Sequence, residues 1–180
     1  ICQVPISAIT LMDKDRQWFK SKIGFDTIEV PREDAFCTYM MNNDLKSIEV
    51  QNMNENIVFT NNPYVVGDPK ISFYAGVLLI DPDGHTLGSL CVYDLEPKKL
   101  NSFQLNALEK LANQVIQLLE LRKKNTQLEE NNASLLSKYN ELEQFARVVS
   151  HDIKSPLNNI ISLTNLFQDE YGNVIDEAGN

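Results

Sequence analysis

The stretch FYAGVLLIDPDGHTLGSLCVYD, residues 73–94, decides the fold of the first half of the chain. An apolar run of eight residues is followed by DPDG, which has the chemistry of a tight turn. The segment HTLGSLCVYD then returns as a second apolar run, so the pattern predicts a β-hairpin of two long strands.

A second hairpin is predicted near the start of the chain. The run ISAITLMD (residues 6–13) is rich in β-forming residues, DKDRQ turns the chain, and WFKSKIGF (residues 18–25) returns. PREDAFCTYMMNN (residues 31–43) predicts a short helix beginning at Pro31, and SIEV (residues 47–50) predicts a short strand. Mostly antiparallel neighbours mixed with short helices indicate an α+β fold, an antiparallel sheet flanked by helices.

Residues 51–70 are rich in Asn, Pro and Gly. They predict a long loop with one helical turn, and loops of this length are usually functional. His85, next to the turn glycine of the later hairpin, is expected to be a hairpin residue rather than a ligand.

The composition restricts the classes of function that fit the chain. Its 180 residues are 43% hydrophobic and 23% charged, which fits a soluble globular protein. The net charge of −9 disfavours general nucleic-acid binding and docking on anionic lipid, since both need clustered positive charge. No apolar run has the roughly 18 residues of a membrane span, so we expect no membrane contact and a cytoplasmic location. Because residue 1 is Ile1 rather than Met, we expect a fragment.

The three cysteines, Cys2, Cys37 and Cys91, are odd in number and widely spaced. This pattern favours neither a disulfide framework nor a metal site, and it predicts reduced thiols. Cys91 falls inside an apolar strand pattern, where a cysteine usually serves as a small core residue.

A long helix is predicted after Asn101 or Ser102, either of which can cap it. Residues 103–168 contain no Gly and one Pro, and a helix of that length needs a partner because one domain cannot cover it. A seven-residue register fits this helix well, apart from Gln114 and Pro156 at position d. Position a takes Leu111, Leu118, Asn125, Asn132, Tyr139, Ala146, Ile153, Ile160 and Phe167, and position d takes Leu121, Leu128, Leu135, Leu142, Val149 and Leu163.

The register indicates a parallel two-stranded coiled coil, hence a homodimer. Leucine at d favours this arrangement, and Asn125 and Asn132 at a can pair with their copies only in aligned parallel chains. Lys124 would then face Glu129 of the second chain, a pair that selects orientation rather than adding much energy. The alternative, a monomeric helix folded back on its own domain, fits the strict leucine spacing less well.

Beyond residue 151 the apolar stripe becomes wider than positions a and d, with Leu157, Ile161 and Leu166 added. A stripe of this width suits a four-helix bundle to which each chain contributes two helices. The polar residues 168–180 are interpreted as the exit from the first of these helices, so that the fragment would end partway through a helical hairpin.

His151 falls at position f, farthest from the partner helix, and is expected to face solvent. An imidazole with a pKa of about 6.5 is largely neutral and nucleophilic near pH 7. Asp152 could accept a proton from one ring nitrogen and leave the other free to attack, while Lys154 could attend a phosphoryl group. Pro156 frees the carbonyl oxygen of Asp152 and should loosen or bend the helix one turn after the histidine.

The segment FARVVSHDIKSPL (residues 145–157) closely resembles the H-box of bacterial sensor histidine kinases, where Phe is followed by Ser-His-Asp/Glu, a basic residue and Pro-Leu. The resemblance implies that His151 is the phosphoacceptor and Asp152 its acid–base partner. It also implies that the bundle is the dimerisation and histidine-phosphotransfer domain. Ser155 stands where phosphatase-competent relatives usually carry Thr or Asn to position water.

The first half resembles GAF sensor domains of the kind that precede histidine kinases, in residues 4–25, 31–41 and 73–94. The implied fold is an antiparallel sheet flanked by helices, with a pocket between one sheet face and the long loops. Neither a bilin-attachment context nor the pattern of cyclic-nucleotide-binding GAF domains is evident, so the ligand is unknown and the domain could act without one. Candidate pocket residues are Trp18, Cys37, Tyr39 and Tyr74.

These resemblances imply a GAF domain in residues 1–102, a signalling helix in residues 103–144, and the first helix of the phosphotransfer domain in residues 145–180. The full protein would transfer the γ-phosphoryl group of ATP to His151 and then to an aspartate of a response regulator. ATP would bind a domain outside these residues, which hold neither a Gly-rich nucleotide lid nor an Asn-bearing ATP site.

Two alternatives stay open. One is a non-enzymatic GAF module whose whole function is ligand binding or dimerisation. The other is a redox enzyme of the free methionine sulfoxide reductase type, which needs clustered reactive cysteines, whereas Cys37 and Cys91 lie far apart in sequence.

Overall fold

The computed structural model describes the backbone of residues 1–178 and the side chains of residues 1–170. Two compact units are distinguished, Ile1–Lys123 and a second one that begins at Lys124. The strands of the first unit are β1 (Ile6–Met12), β2 (Arg16–Ile23), β3 (Glu29–Pro31), β4 (Ser47–Val50), β5 (Phe73–Ile80) and β6 (Thr86–Asp94). The helices are α1 (Phe36–Asn42), α2 (Pro63–Val66) and α3 (Ser102–Ala178), with a 3-10 turn at Arg32–Asp34.

The six strands form one antiparallel sheet in the order β3-β2-β1-β6-β5-β4, which confirms the predicted α+β class. Both predicted hairpins are present: β1 pairs with β2 and β5 pairs with β6. The two hairpins are joined into one sheet because β1 also pairs with β6, with Ile6 opposite Tyr93. The strand SIEV and the helical turn within the long loop are also confirmed, as β4 and α2.

The turn between β5 and β6 is closed by Asp81. Its Oδ1 accepts a hydrogen bond from the backbone N–H of His85 at 2.7 Å, and its own N–H donates to the carbonyl oxygen of His85. Gly84 has a φ of +88°, a conformation that glycine adopts at no steric cost. The DPDGH sequence therefore acts as turn chemistry, as predicted.

The predicted helix at residues 31–43 begins later than expected, which is a correction. Pro31 ends β3 in extended conformation, with Arg16 opposite it on β2, and α1 begins only at Phe36. Proline can occupy this place because β3 is an edge strand, where a missing N–H costs no ladder hydrogen bond. Pairing with β2 thus overrides the helix-starting tendency of Pro31.

The sheet separates two apolar clusters. On one face, α1 and the long loop contribute Phe36, Met40 and Phe59 to the larger cluster. On the other face, the start of α3 contributes Leu108, which packs with Phe73. Because side chains alternate along a strand, the apolar runs of β5 and β6 supply both clusters.

Helix α3 begins with a reciprocal cap. Asn101 Oδ1 accepts from the N–H of Gln104 at 2.9 Å, and Gln104 Oε1 accepts from the N–H of Asn101 at 3.0 Å. The helix continues to Ala178, so the interpretation of residues 168–180 as an exit is wrong for residues 168–178, while residues 179–180 lie outside the described residues. Pro156 lies inside it. Within the described chain, no helix is both long enough and apolar enough to cross a membrane.

Candidate functional site

A cavity of about 40 Å³ lies between the inner sheet face and the segments that cross it. This is room for a few non-hydrogen atoms, since a single water needs about 10–15 Å³ by the same kind of measure. Strands β1, β2 and β6 form its floor, and the connections around β3, α1 and α2 form its walls. Its lining residues are Ile6, Gln17, Phe19, Phe25, Thr27, Val30, Asp34, Ala35, Phe36, Tyr64, Pro69, Ile71 and Tyr93.

Aromatic rings dominate the walls of the cavity. Phe19 and Phe25 meet edge to face with 4.8 Å between ring centres. The rings of Phe25 and Phe36 each pack against the ring of Tyr93, with 6.3 Å and 6.1 Å between ring centres. These are favourable aromatic geometries, so the cavity is framed by packed rings rather than by loose side chains.

Few polar groups reach this cavity. Gln17 is buried at its floor, and its Nε2 donates to Thr10 Oγ1 at 2.7 Å and Cys37 Sγ at 3.0 Å. Asp34 and Tyr64 lie at the wall, where burial and the negative charge of Asp34 raise the pKa of the Tyr64 hydroxyl.

Behind Gln17 lies a buried polar cluster that includes Cys37 of α1 and Cys91 of β6. Ser89 Oγ lies 2.9 Å from Thr10 Oγ1 and 3.0 Å from Cys91 Sγ. Burial, together with the neighbouring Cys91, raises the pKa of the Cys37 thiol to about 12. The inference from their distance in sequence is therefore corrected, because folding brings Cys37 and Cys91 together. Both thiols are nevertheless protonated near neutral pH and unsuited to act as nucleophiles.

None of the four predicted pocket residues lines the cavity. Cys37 and Tyr74 are fully buried beside it, and Tyr74 OH lies 3.4 Å from Cys91 Sγ. Tyr39 packs edge-on against Phe59, with 5.3 Å between ring centres. Trp18 is half-buried, with Lys20 Nζ 5.6 Å from its ring centre. A ligand role for these four side chains stays a prediction.

Sequence reasoning missed Gln17, Asp34 and Tyr64. The signal that could have found Gln17 is a polar residue at an inward position of β2, two residues before Phe19 on the same face. Asp34 and Tyr64 come from separate connections, and only the fold brings them to one cavity.

The predicted phosphoacceptor segment lies on α3 within the second unit. His151 is 87% exposed, and its Nδ1 lies 3.3 Å from Asp152 Oδ1. This contact is the one the sequence suggested between neighbouring residues, and it leaves Nε2 open. Lys154 and Ser155 are also exposed, and Pro156 follows them within the helix.

Helix α3 carries a row of open apolar side chains. Among residues 124–170 no side chain is buried, and the leucines at position d are each more than half exposed. Between residues 118 and 142, the exposed apolar side chains at positions a and d are those of Leu118, Leu121, Leu128, Leu135, Tyr139 and Leu142. So much apolar area on one face is characteristic of an association surface.

Comparison with known proteins identifies the first unit. The GAF domain family matches residues 2–119. A cyclic di-GMP phosphodiesterase of Pseudomonas aeruginosa is 45% identical over 97 residues, which cover 53% of this chain and 16% of that protein. Cyanobacterial phytochrome B of a Nostoc species is 32% identical over 90 residues, which cover 47% of this chain and 11% of that protein. The chain thus spans less than a fifth of the length of these relatives.

A solved structure agrees with the fold. The GAF domain of a phosphoenolpyruvate-protein phosphotransferase from Coxiella burnetii matches 68% of this chain and 76% of its own, at a TM-score of 0.56 and 12% identity. At this identity the likeness concerns the fold alone. Because the GAF domain family matches residues 2–119, more than half of the chain, the chain belongs to the GAF domain family.

Proposed function

We propose that this chain is the sensor and phosphoacceptor part of a two-component sensor histidine kinase. In this proposal the GAF domain relays a signal through a dimeric coiled coil to autophosphorylation of His151. The phosphoryl group then passes to an aspartate of a response regulator. The observation that carries the proposal is the exposed imidazole of His151 beside the Asp152 carboxylate, within the H-box sequence.

The chemistry of the pair supports this role. A carboxylate near Nδ1 favours the tautomer with a proton on that nitrogen, which leaves Nε2 as the nucleophile. The nucleophilic atom attacks the γ-phosphorus of ATP held by a domain outside this chain, the bond to ADP breaks, and an N–P bond forms. The same exposure lets a receiver domain approach the phosphorylated ring afterwards.

Dimerisation supports the relay. The exposed apolar row on α3 repeats every seven residues, and its polar interruptions, Asn125 and Asn132, fit a parallel pair. A signal reaches His151 only if it stabilises two arrangements of this pair unequally. The first unit supplies a place where such a difference could arise, since the start of α3 packs on its sheet through Leu108.

Phosphorylation in trans tests the proposal. The full gene product, or this chain mixed with a histidine kinase ATP-binding domain, is incubated with γ-labelled ATP. We expect label that is stable in base and lost in acid, as for phosphohistidine, and we expect His151→Gln to remove it. His85→Gln is the matched control, because His85 and His151 are the two histidines of the chain. Equal labelling of the His151 variant would overturn the proposal.

A non-enzymatic GAF module is the second candidate, and one observation favours it. The relatives match 97 and 90 residues of this chain and are described as a phosphodiesterase and a phytochrome, so similar segments occur in proteins with different outputs. Under this alternative, ligand binding and dimerisation persist while no variant of His151 changes any signalling output. The redox alternative is less well supported, because the thiols of Cys37 and Cys91 are buried and protonated.

A further inference from the structure

The charge of the cavity distinguishes among classes of ligand. Its lining, which lies within the described residues, contains no Lys, Arg or His and one acidic residue, Asp34. The Asp34 carboxylate forms no ion pair or hydrogen bond within the described chain, where Asn62 Nδ2 donates instead to its backbone oxygen. Lys22 is near Phe25, but its ammonium group donates to the carbonyl oxygens of Asp26 and Thr27. Among the lining residues, the one charged side chain is thus the acidic Asp34.

A second candidate acceptor belongs to Gln17, another residue of the cavity lining. The Gln17 side chain donates two hydrogen bonds, both from Nε2, and Oε1 has no hydrogen-bond partner among the described residues. Every fully enclosed side-chain nitrogen or oxygen in the described chain has a partner, so Oε1 of Gln17 keeps some accessible surface. Gln17 is 3% exposed and belongs to the lining of the cavity, which makes its unpaired Oε1 the candidate acceptor there.

We propose that the cavity binds a small organic ammonium ion. An ammonium group has donors and no acceptor, which suits a site offering the Asp34 carboxylate and Gln17 Oε1. The rings of Phe19, Phe25 and Tyr93 suit both a hydrocarbon body and the positive charge, since aromatic faces attract cations. Anionic ligands such as nucleotides or carboxylates would meet the charge of Asp34 with no basic group to compensate. This inference rests on the proposed sensory role of the domain.

Three compounds with one carbon skeleton test the charge preference. Propylammonium, 1-propanol and propionate are each titrated into the whole chain, with binding followed by the backbone amide NMR signals of Gln17, Ala35 and Tyr93. The four non-hydrogen atoms of propylammonium or 1-propanol limit the dissociation constant to roughly tens of micromolar or weaker. We expect propylammonium to bind about tenfold or more tightly than 1-propanol, and propionate to bind most weakly.

Paired variants assign the preference to Asp34. Asp34→Asn keeps the shape of the side chain and should bring propylammonium binding down to the level of 1-propanol. Glu33→Gln removes an adjacent acid that does not line the cavity, so it should leave binding unchanged. The thermal midpoint of both variants should match the parent, because the Asp34 carboxylate has no hydrogen-bond partner to lose.

Several outcomes would overturn the ammonium class: equal or tighter binding of 1-propanol or propionate, an unaffected Asp34→Asn variant, or no saturable binding of any compound. None of them touches the labelling of His151, which can succeed without an ammonium ligand. Conversely, ammonium binding with no phosphorylation of His151 would overturn the proposed kinase role and leave the ligand class standing.

Discussion

Tyr74 folds over Gly76 on strand β5, so that a Cβ atom at Gly76 would lie 2.2 Å from the Tyr74 hydroxyl oxygen and 2.7 Å from Cζ. The ring cannot move away freely, because it is fully buried against Phe36 and Tyr93. The absence of a side chain at residue 76 is therefore what admits Tyr74 to the core.

Replacing Gly76 by alanine should destabilise the first unit by about 1–3 kcal/mol, the usual cost of overpacking a core. Urea unfolding measures it as a lower midpoint. Gly84→Ala is the comparison, since a Cβ there meets nothing within 4 Å and only the φ of +88° is unfavourable. A Gly76 variant no less stable than the Gly84 variant would contradict the packing seen around Tyr74.

The reciprocal cap at the start of α3 gives a second prediction. Asn101→Ala removes the acceptor for the Gln104 N–H and should lower the free energy of unfolding by about 1 kcal/mol. Asn106→Ala, at an exposed position within the helix, should leave stability equal or slightly higher. Thermal melts of the two variants compare them directly, and identical melts would show that the cap contributes nothing.

The buried thiol of Cys37 should make the free energy of unfolding depend on pH in the alkaline range. Its folded pKa of about 12 exceeds the ordinary value of 9.0, so its contribution to stability is complete below pH 9 and is lost as the pH rises toward 12. Cys37→Ser has no group that titrates there, and its stability should fall less steeply above pH 9, by up to about 1.4 kcal/mol per pH unit. Urea midpoints at several pH values give the two slopes. Parallel slopes would mean that the thiol is not enclosed.

The asparagines at position a predict how the coiled coil responds to substitution. Replacing Asn125 and Asn132 by isoleucine should raise the thermal midpoint and loosen the choice of register or oligomeric state. Asn140→Ile, at position b on the outer side of the register, should change neither. Sedimentation equilibrium gives the mass, and a monomer before and after substitution would show that the heptad interpretation is wrong.

Asp152 should affect chemistry rather than assembly. Asp152→Asn removes the charge beside His151 Nδ1 and should slow labelling by about a hundredfold, the lower end of general acid–base effects. Asp169→Asn, an exposed acid farther along α3, should label normally. Both variants should sediment as the parent does. An undiminished labelling rate for Asp152→Asn would show that the carboxylate takes no part in the phosphorylation of His151.

The cavity shows where prediction from sequence stopped. The four aromatic and thiol candidates follow from residue type alone, yet the two most enclosed, Cys37 and Tyr74, are core residues next to the cavity. The residues that give the cavity its charge and its free acceptor, Asp34 and Gln17, carry no local motif. Their meeting depends on how separate connections cross the sheet, which is information no short window of sequence contains.

The sequence by itself determined the features whose causes lie within a few residues: the two hairpins, the DPDGH turn, the cap at Asn101, and the spacing of apolar residues along α3. Turn geometry, side-chain alternation and helical period are local effects, so they can be recognised in the amino-acid sequence alone. Only the tertiary structure decided that β1 lies beside β6, that Pro31 ends a strand instead of starting a helix, and that Cys37 and Cys91 share one buried cluster. Those outcomes depend on free energy gained between segments far apart in the chain, where burial and pairing outweigh the preferences of each segment alone.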